Sequence, residues 1–276
     1  MSRRIDCAGR SLDLRHPCIM GILNVTPDSF SDGGDFLGYE DALRHARQMV
    51  AEGADILDVG GESTRPGATV VPEQQELDRV IPLIEALSAE IAVPISIDTA
   101  KAQVMREAVS AGAGLINDVN ALRSEGALSA AADLAVPICL MHMQGSPSKM
   151  QKKPLYDNVL ADVKRFLLAR VAACESVGIS PERLIIDPGF GFGKTLEHNV
   201  ALFAGLRQFI ELDLPVMIGV SRKTMIGEVL DAPVDGRLYG GLALATLAAQ
   251  QGASIIRTHD VKATADVLKI CRALKD

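Results

Sequence analysis

Short runs of β-branched and aliphatic residues recur along the whole chain, at 18–23, 56–59, 95–97, 115–116, 138–141, 184–186, 216–218 and 254–256. Between them lie stretches whose apolar positions repeat at helical spacing, among them 39–52, 73–90, 102–110, 159–177 and 237–251. Brief apolar runs bounded by turn residues predict strands, and the longer amphipathic stretches predict helices. Their regular alternation specifies an α/β fold with a parallel sheet, and eight strands specify closure into a (β/α)8 TIM barrel. An open doubly wound sheet alternates in the same way, but no G-x-G-x-x-G follows the first run, and a count of eight leaves no strand over. The 276 residues are within the length such barrels reach as one domain, with the barrel itself expected from about 18 to 274. Ahead of it, residues 5–14 alternate around Ala8-Gly9-Arg10, which predicts a small hairpin within 1–17 that plugs one barrel end.

Each strand then runs out into a polar or charged group: Asn24, Asp58, Asp98, Asn117, His142, Asp187, Ser221 with Lys223, and Arg257 with His259. In a barrel of this kind the carboxyl ends of the strands form the reactive rim, so eight polar endings together point to an enzyme. Three connections on that rim, 26–38, 60–72 and 143–154, are long and rich in Gly, Ser, Pro and Asp, as expected of lids.

Composition narrows the choice of partner. With 48% hydrophobic and 23% charged residues the chain is a packed globule. A net charge of -7 argues against nucleic acid or an anionic membrane as the main partner, and the absence of Trp with only three Tyr argues against a base-stacking platform. The five cysteines are odd in number, scattered and never C-x-x-C, so inert buried thiols in a reducing cytoplasm are expected. The first 17 residues carry arginines but no following apolar stretch, and no run reaches membrane-spanning length, so a cytoplasmic location is expected.

The rim residues divide into two sectors. The last strand of a closed barrel lies beside the first, which brings Arg257 and His259 next to Asn24, with Thr64 and Arg65 near. A fixed arginine, a histidine and a hydroxyl suit a phosphate or diphosphate. Asp98, Asn117, Asp187 and Lys223 suit instead a neutral, donor-rich heterocycle, because a carboxylate accepts two parallel N–H bonds from an amino-pyrimidine edge while Lys223 donates to a ring carbonyl. The same carboxylates can alternatively pair only with Lys223, and Arg257 can serve only as a structural salt bridge. The segment DPGFGFGK at 187–194 has glycines for close backbone approach and phenylalanines that can wall an aromatic pocket, but no Walker spacing. Ser221 to Thr224 stand where a helix begins, and free N–H groups there suit a second anion such as a carboxylate. No His/Asp/Glu cluster has the spacing of an all-protein metal site; a Mg2+ would need substrate oxygens, with Asn24 supplying one ligand.

The segments GILNVTPDSFSDGG at 21–34, DVGGESTRPG at 58–67 and SIDT at 96–99 strongly resemble the dihydropteroate synthase family, and NDV at 117–119, MHMQG at 141–145, DPGFGFGK at 187–194, SRK at 221–223 and RTH at 257–259 follow in the family's order. The resemblance covers nearly the whole chain. It implies a folate-pathway transferase and sulfonamide target that joins 4-aminobenzoate to 6-hydroxymethyl-7,8-dihydropterin diphosphate, with Mg2+ assisting and a homodimer as the assembly. Carried over, Asp98, Asn117, Asp187, Lys223 and Arg257 would bind the pterin. Asn24, Thr64, Arg257 and His259 would hold diphosphate, with Asn24 at Mg2+. Phe30, Arg65, Pro66, Phe192, Ser221 and Thr224 would frame aminobenzoate; Thr224 stands where members of the family often carry Ser, which keeps the hydroxyl.

Three other readings share some of these features. A methyltetrahydrofolate-dependent methyltransferase uses the same barrel and a pterin site but has no use for the phosphate sector. A Schiff-base aldolase needs a lysine in an apolar pocket, whereas Lys223 follows Arg222 beyond a strand end. A pterin carrier would keep the pocket without turnover.

Overall fold

The computed structural model describes residues 4–25, 34–63, 68, 70–145, 150 and 154–274. Strands β1 (Arg4–Cys7) and β2 (Arg10–Asp13) form an antiparallel hairpin. Strands β3 (Cys18–Asn24), β4 (Ile56–Gly60), β5 (Ile95–Asp98), β6 (Leu115–Asp118), β7 (Ile138–Met141), β8 (Leu184–Asp187), β9 (Met217–Ile218) and β10 (Ile255–Thr258) follow as one eight-stranded sheet. All pairings in it are parallel, in the order β8-β7-β6-β5-β4-β3-β10-β9. A parallel bridge between Ile186 and Val216 closes the ring from β8 to the start of β9. Helices α1 (Gly34–Glu52), α2 (Glu73–Glu90), α3 (Ala102–Ser110), α4 (Ala127–Asp133), α5 (Val159–Ser176), α6 (Leu196–Ala204), α7 (Arg207–Ile210), α8 (Thr224–Leu230), α9 (Leu238–Gln251) and α10 (Val261–Ala273) intervene. The barrel expected from the alternation is the fold observed.

Two separate cores explain why the strands are buried on both faces. Ile19, Leu57, Val59, Ile95, Ile97, Ile116, Ile138, Leu184 and Ile256 pack outward against the helices. Cys18, Met20, Ile56, Leu115, Cys139, Ile185, Met217 and Ile255 form the second cluster, inside the ring. Side chains alternate across a strand, so the residue two positions beyond an inward one is inward again. Ile56, Leu115, Ile185 and Ile255 therefore place Asp58, Asn117, Asp187 and Arg257 inside the barrel, one layer higher. The same parity that fills the core delivers polar groups to its upper end.

The lower end is closed as expected. Ala8 (φ 54) and Gly9 (φ 84) make a two-residue turn of the left-handed kind that matches strand twist. Ile5, Cys7 and Leu12 then join the interior cluster. Arg10 ties the hairpin down, donating to Val93 O at 3.0 Å and to Ser88 O at 2.7 Å. Gly114 is required beneath it, since a Cβ there would lie 2.4 Å from Cys7 O.

All five cysteines are buried free thiols, and burial pushes Cys174 up to about 11 and Cys7 up to about 12, away from reactivity. Among the described residues no helix is long and apolar enough to cross a membrane. Helix α1 begins at Gly34, five positions before the expected 39, so the first rim segment is shorter than 26–38. The central stretches of all three expected lids lie outside the described residues.

Candidate active site

Inside the upper layer, Asp58 on β4 is fully buried and organises its neighbours. Its Oδ2 accepts from Arg257 Nε at 2.6 Å and from Asn117 Nδ2 at 3.0 Å. Arg257 Nη2 donates at 2.8 Å to Asp98 Oδ2. Asp58, Asp98, Asn117 and Arg257 thus form a hydrogen-bonded floor contributed by β4, β5, β6 and β10. The Oδ1 atoms of Asp58 and Asp98 are buried with no hydrogen-bond partner among the described residues. A buried acceptor left open in this way suits a ligand carrying N–H donors.

The floor revises the expected division into sectors. Arg257 does follow β3 around the ring, with its backbone opposite Met20. Its guanidinium, however, reaches across to Asp58 and Asp98, and its charge is balanced there. The sector beside Asn24 is therefore less cationic than the sequence suggested. Asp98 likewise pairs with Arg257 and not with Lys223. Burial raises Asp98 to about 7, with Arg257 opposing and the Asp58 charge adding to the rise. Burial works against the Arg257 charge too, but Asp58 and Asp98 outweigh it and raise its pKa.

Above the floor the segment after β8 makes a shelf. Asp187 accepts from Gly189 N at 2.7 Å, and burial lifts it to about 6 against that bond and the Lys223, Lys194 and Arg257 charges. Gly189, Gly191 and Gly193 all take positive φ. At Gly189 no other residue fits, since a Cβ would stand 1.9 Å from His142 O. Phe192 joins Val119, Met141, Met143 and Met150 in an apolar cluster that walls one side of the site. Phe190 does not serve as a wall: it is buried in the outer core against Phe203, 5.6 Å between ring centres. The strand parity that turns Asp187 inward does not govern the loop, so the two phenylalanines diverge.

Lys223 lies on this shelf with its Nζ 4.1 Å from the Phe192 ring centre. Burial, with Arg257 adding, lowers it to about 8. The expectation that Lys223 stays outside an apolar pocket is therefore corrected. The reason is local: Arg222 adopts φ 57 and turns outward, where its Nη2 donates to Asp260 at 2.6 Å, which sends the next side chain inward. Its surroundings no longer separate Lys223 from a Schiff-base lysine.

On the opposite side, Ser221 Oγ and His259 Nδ1 are 3.1 Å apart, and His259 N donates to Ser221 Oγ at 3.2 Å. Residues assigned to aminobenzoate and to diphosphate are thus direct neighbours. Asn24 ends β3 opposite Gly60, and its Oδ1 would stand 3.7 Å from a Cβ at that glycine. Thr224 is exposed at the first turn of α8, where Lys223 provides no side-chain cap. Phe30, Thr64, Arg65 and Pro66 lie outside the described residues. A cavity of about 550 Å³ opens beside Asp98, lined among others by Thr99, Lys101, Asn120, Met143 and Gly145. Sequence reasoning noted Asp58 and His142 only as strand endings and gave Lys194 no role. The inward parity of Asp58 with Ile56 was the signal that could have identified the first.

A barrel whose upper layer carries open carboxylate acceptors, a lysine on an aromatic ring and a Ser–His pair defines an enzyme for a small donor-rich heterocycle with an anionic group. The profile of the pterin binding enzyme family matches residues 20–259, so the chain belongs to that family. It is 53% identical over 265 residues to dihydropteroate synthase of Escherichia coli (strain K12), covering 96% of this chain and 94% of that one. Its fold superposes on Xanthomonas albilineans dihydropteroate synthase with 4-aminobenzoic acid at a TM-score of 0.95, with 54% identity over 100% of this chain and 99% of the other. The Yersinia pestis dihydropteroate synthase with a sulfonamide drug complex gives a TM-score of 0.94 and 50% identity over 99% of both.

Proposed function

We propose that this chain is a dihydropteroate-forming transferase: the amine of 4-aminobenzoate attacks the methylene carbon of (7,8-dihydropterin-6-yl)methyl diphosphate, the carbon–oxygen bond breaks, and diphosphate leaves with the electron pair. The amine gives up one proton, and 7,8-dihydropteroate results. The observation that carries the reading is the floor, where buried Asp98 and Asp58 each keep one oxygen without a partner among the described residues. The pterin's amino-pyrimidine edge supplies the N–H donors those atoms and Asp187 need, Asn117 is held ready by Asp58, and Lys223 donates to the ring carbonyl. The Phe192 cluster covers the ring's apolar face. No protein nucleophile is needed, because positioning and charge stabilisation suffice. Asp98 and Asp187 oppose the positive charge that spreads into the dihydropterin ring as diphosphate departs.

Diphosphate is assigned to Asn24, Thr64, Arg257 and His259, and aminobenzoate to Phe30, Arg65, Pro66, Phe192, Ser221 and Thr224. Among the described residues no group of three His, Cys, Asp or Glu gathers to hold a metal. Asn24 offers one neutral oxygen, so a Mg2+ here would take its remaining ligands from diphosphate and water, and it would offset the leaving group's charge. A homodimer is supported by the apolar side chains that α8, α9 and the segment between them expose, Val229, Leu230, Val234, Tyr239 and Leu247. Leu244 packs instead against the core. Cytoplasmic placement fits the buried free thiols.

The test is diphosphate release. It is expected only when both pterin diphosphate and 4-aminobenzoate are present, and a sulfonamide should compete with aminobenzoate but not with the pterin. Pterin binding without release would leave a carrier, and release without aminobenzoate would mean a hydrolase.

A further inference from the structure

Lys194 closes the DPGFGFGK segment and is 3% exposed, a position lysine rarely occupies unpaired. Among the described residues no carboxylate lies within ion-pairing distance of it. Its ammonium instead donates to Gly189 O at 2.7 Å and Phe192 O at 3.1 Å, and meets His142 Nδ1 at 3.0 Å. The three N–H donors have these as their near acceptors when the His142 ring is neutral with Nδ1 free to accept, and His142 O is a fourth, longer contact at 3.5 Å. Burial lowers Lys194 itself to about 7, and these acceptors together with the Asp187 charge favour its ammonium form. Burial, with the Lys194 and Arg123 charges adding, holds the His142 ring neutral by pushing it down to about 2. Phe166 fixes its plane edge-on at 4.9 Å.

The ammonium thus knots together two carbonyls of the shelf and the end of β7. What the knot holds is functional. Gly191, between the two tethered carbonyls, is bare where Lys223 crosses it: a Cβ there would stand 3.2 Å from Lys223 Cδ and 3.8 Å from its Nζ. Next to it the Phe192 ring lies under the same Nζ at 4.1 Å. Gly191 and Phe192 form the cradle in which Lys223 rests, and Lys194 fixes the backbone of that cradle from below without reaching the site itself.

We propose that Lys194 is a positioning residue of this enzyme, its ammonium setting the Gly191–Phe192 cradle and through it the place of the Lys223 ammonium. The kinetic part rests on the transferase reading given above; the placement of Lys223 does not. An ammonium suits this task because its three donors radiate from one atom and so fix three acceptors relative to one another, which a carbon chain of equal length cannot do. Of the other tethers of the segment, Tyr156 Oη donates to Gly193 O at 2.7 Å, outside the cradle, whereas Gly191 N donates to Asn199 Oδ1 at 2.8 Å, a second hold on the cradle that the Lys194 substitutions leave in place.

The test compares Lys194→Met, Lys194→Gln and Tyr156→Phe in the full-length protein. The Lys223 ε-methylene protons, lying over the Phe192 ring, should show an upfield ring-current shift by NMR in the wild type, lost in Lys194→Met and kept in Tyr156→Phe. This readout needs no turnover, so it stands even if the transferase reading fails in the wild type. In the active enzyme, kcat/KM for 4-aminobenzoate should fall by about tenfold to a hundredfold in Lys194→Met, the scale of a small misplacement at a reacting centre. Adding Lys194→Met to Phe192→Ala should cost little more than Phe192→Ala alone, because the tether then has nothing to place. An unmoved Lys223 resonance in folded Lys194→Met, or fully additive losses in the double variant, would overturn the proposal. If neither Lys194 variant folds, Lys194 is a strut of the core and the proposal falls as well.

Discussion

On the floor of the site the charges meet in direct ion pairs, whereas the two lysines of the shelf make no ion pair among the described residues and feel the Asp187 charge only at longer range. Asp58, Asp98 and Arg257 sit on strands, in positions fixed by the register of the barrel, and their side chains span neighbouring strands as ion pairs of 2.6 and 2.8 Å. Lys194 and Lys223 sit beyond strand ends, one held by carbonyls and an imidazole, the other by an aromatic face. The two regions solve the burial of charge differently. A floor of this kind belongs to the fold, because removing one member strands a buried partner. A shelf of this kind depends on backbone conformation, which glycines permit and a few donors enforce.

The sharpest break in that comparison is expected from Asp58→Ala, which strands Asn117 and leaves Arg257 Nε without its carboxylate, with Asp98 as the remaining partner of the guanidinium. It should cost about 3–5 kcal/mol of unfolding free energy, whereas Lys194→Met, which also removes the penalty of burying an ammonium, should cost less than half as much. Urea titration of both variants measures this, and equal losses would mean that the shelf is as much a part of the fold as the floor.

The pH dependence sharpens the contrast further. Asp98 rises from 3.8 to about 7 on the floor, and Asp187 from 3.8 to about 6 on the shelf. A carboxyl whose folded pKa lies above its unfolded value stabilises the fold at acid pH, and that contribution is lost as the pH rises to the folded value. The empty protein should therefore lose stability between about pH 4 and pH 7. Asp187→Asn should remove the part of the decline that ends near 6 and spare the part that ends near 7. A decline unchanged in the variant would place the Asp187 carboxylate in water.

A smaller effect is expected for Lys223→Ala on pterin binding, about 2 kcal/mol by calorimetry, at the low end for a desolvated charge because Lys223 makes no direct ion pair with a protein carboxylate. Unchanged affinity would remove Lys223 from the pterin site.

Much of the floor was legible in the sequence. Eight apolar runs with polar endings gave the barrel and its reactive end, and the two-residue parity that makes Ile56 and Ile255 inward also makes Asp58 and Arg257 inward. The sequence pattern could not show how far a long side chain reaches, so neighbouring strands put Arg257 in the sector beside Asn24, the family resemblance assigned it to pterin and diphosphate alike, and its guanidinium is found bound to Asp58 and Asp98. The shelf was less legible. Its glycines signalled unusual backbone, but the direction of Phe190 away from Phe192, the inward turn of Lys223 after a left-handed Arg222, and the meeting of Lys194 with His142 all depend on torsions and contacts far apart in the chain.

The hairpin beneath the barrel has a consequence for traffic. With Ile5, Cys7 and Leu12 stoppering the lower end, the barrel is a vessel with one mouth, and everything that arrives or departs passes the same opening. Asp98 and Asn117 lie deep, while Thr224 stands at the lip. On the proposed seating, a pterin against the first pair has to come in ahead of an aminobenzoate near the last, since the later arrival would stand in its way. The joined product fills both seats at once and must clear the mouth before either is free. On that seating, the queue at each turnover is set, in part, by a two-residue turn at the far end of the molecule.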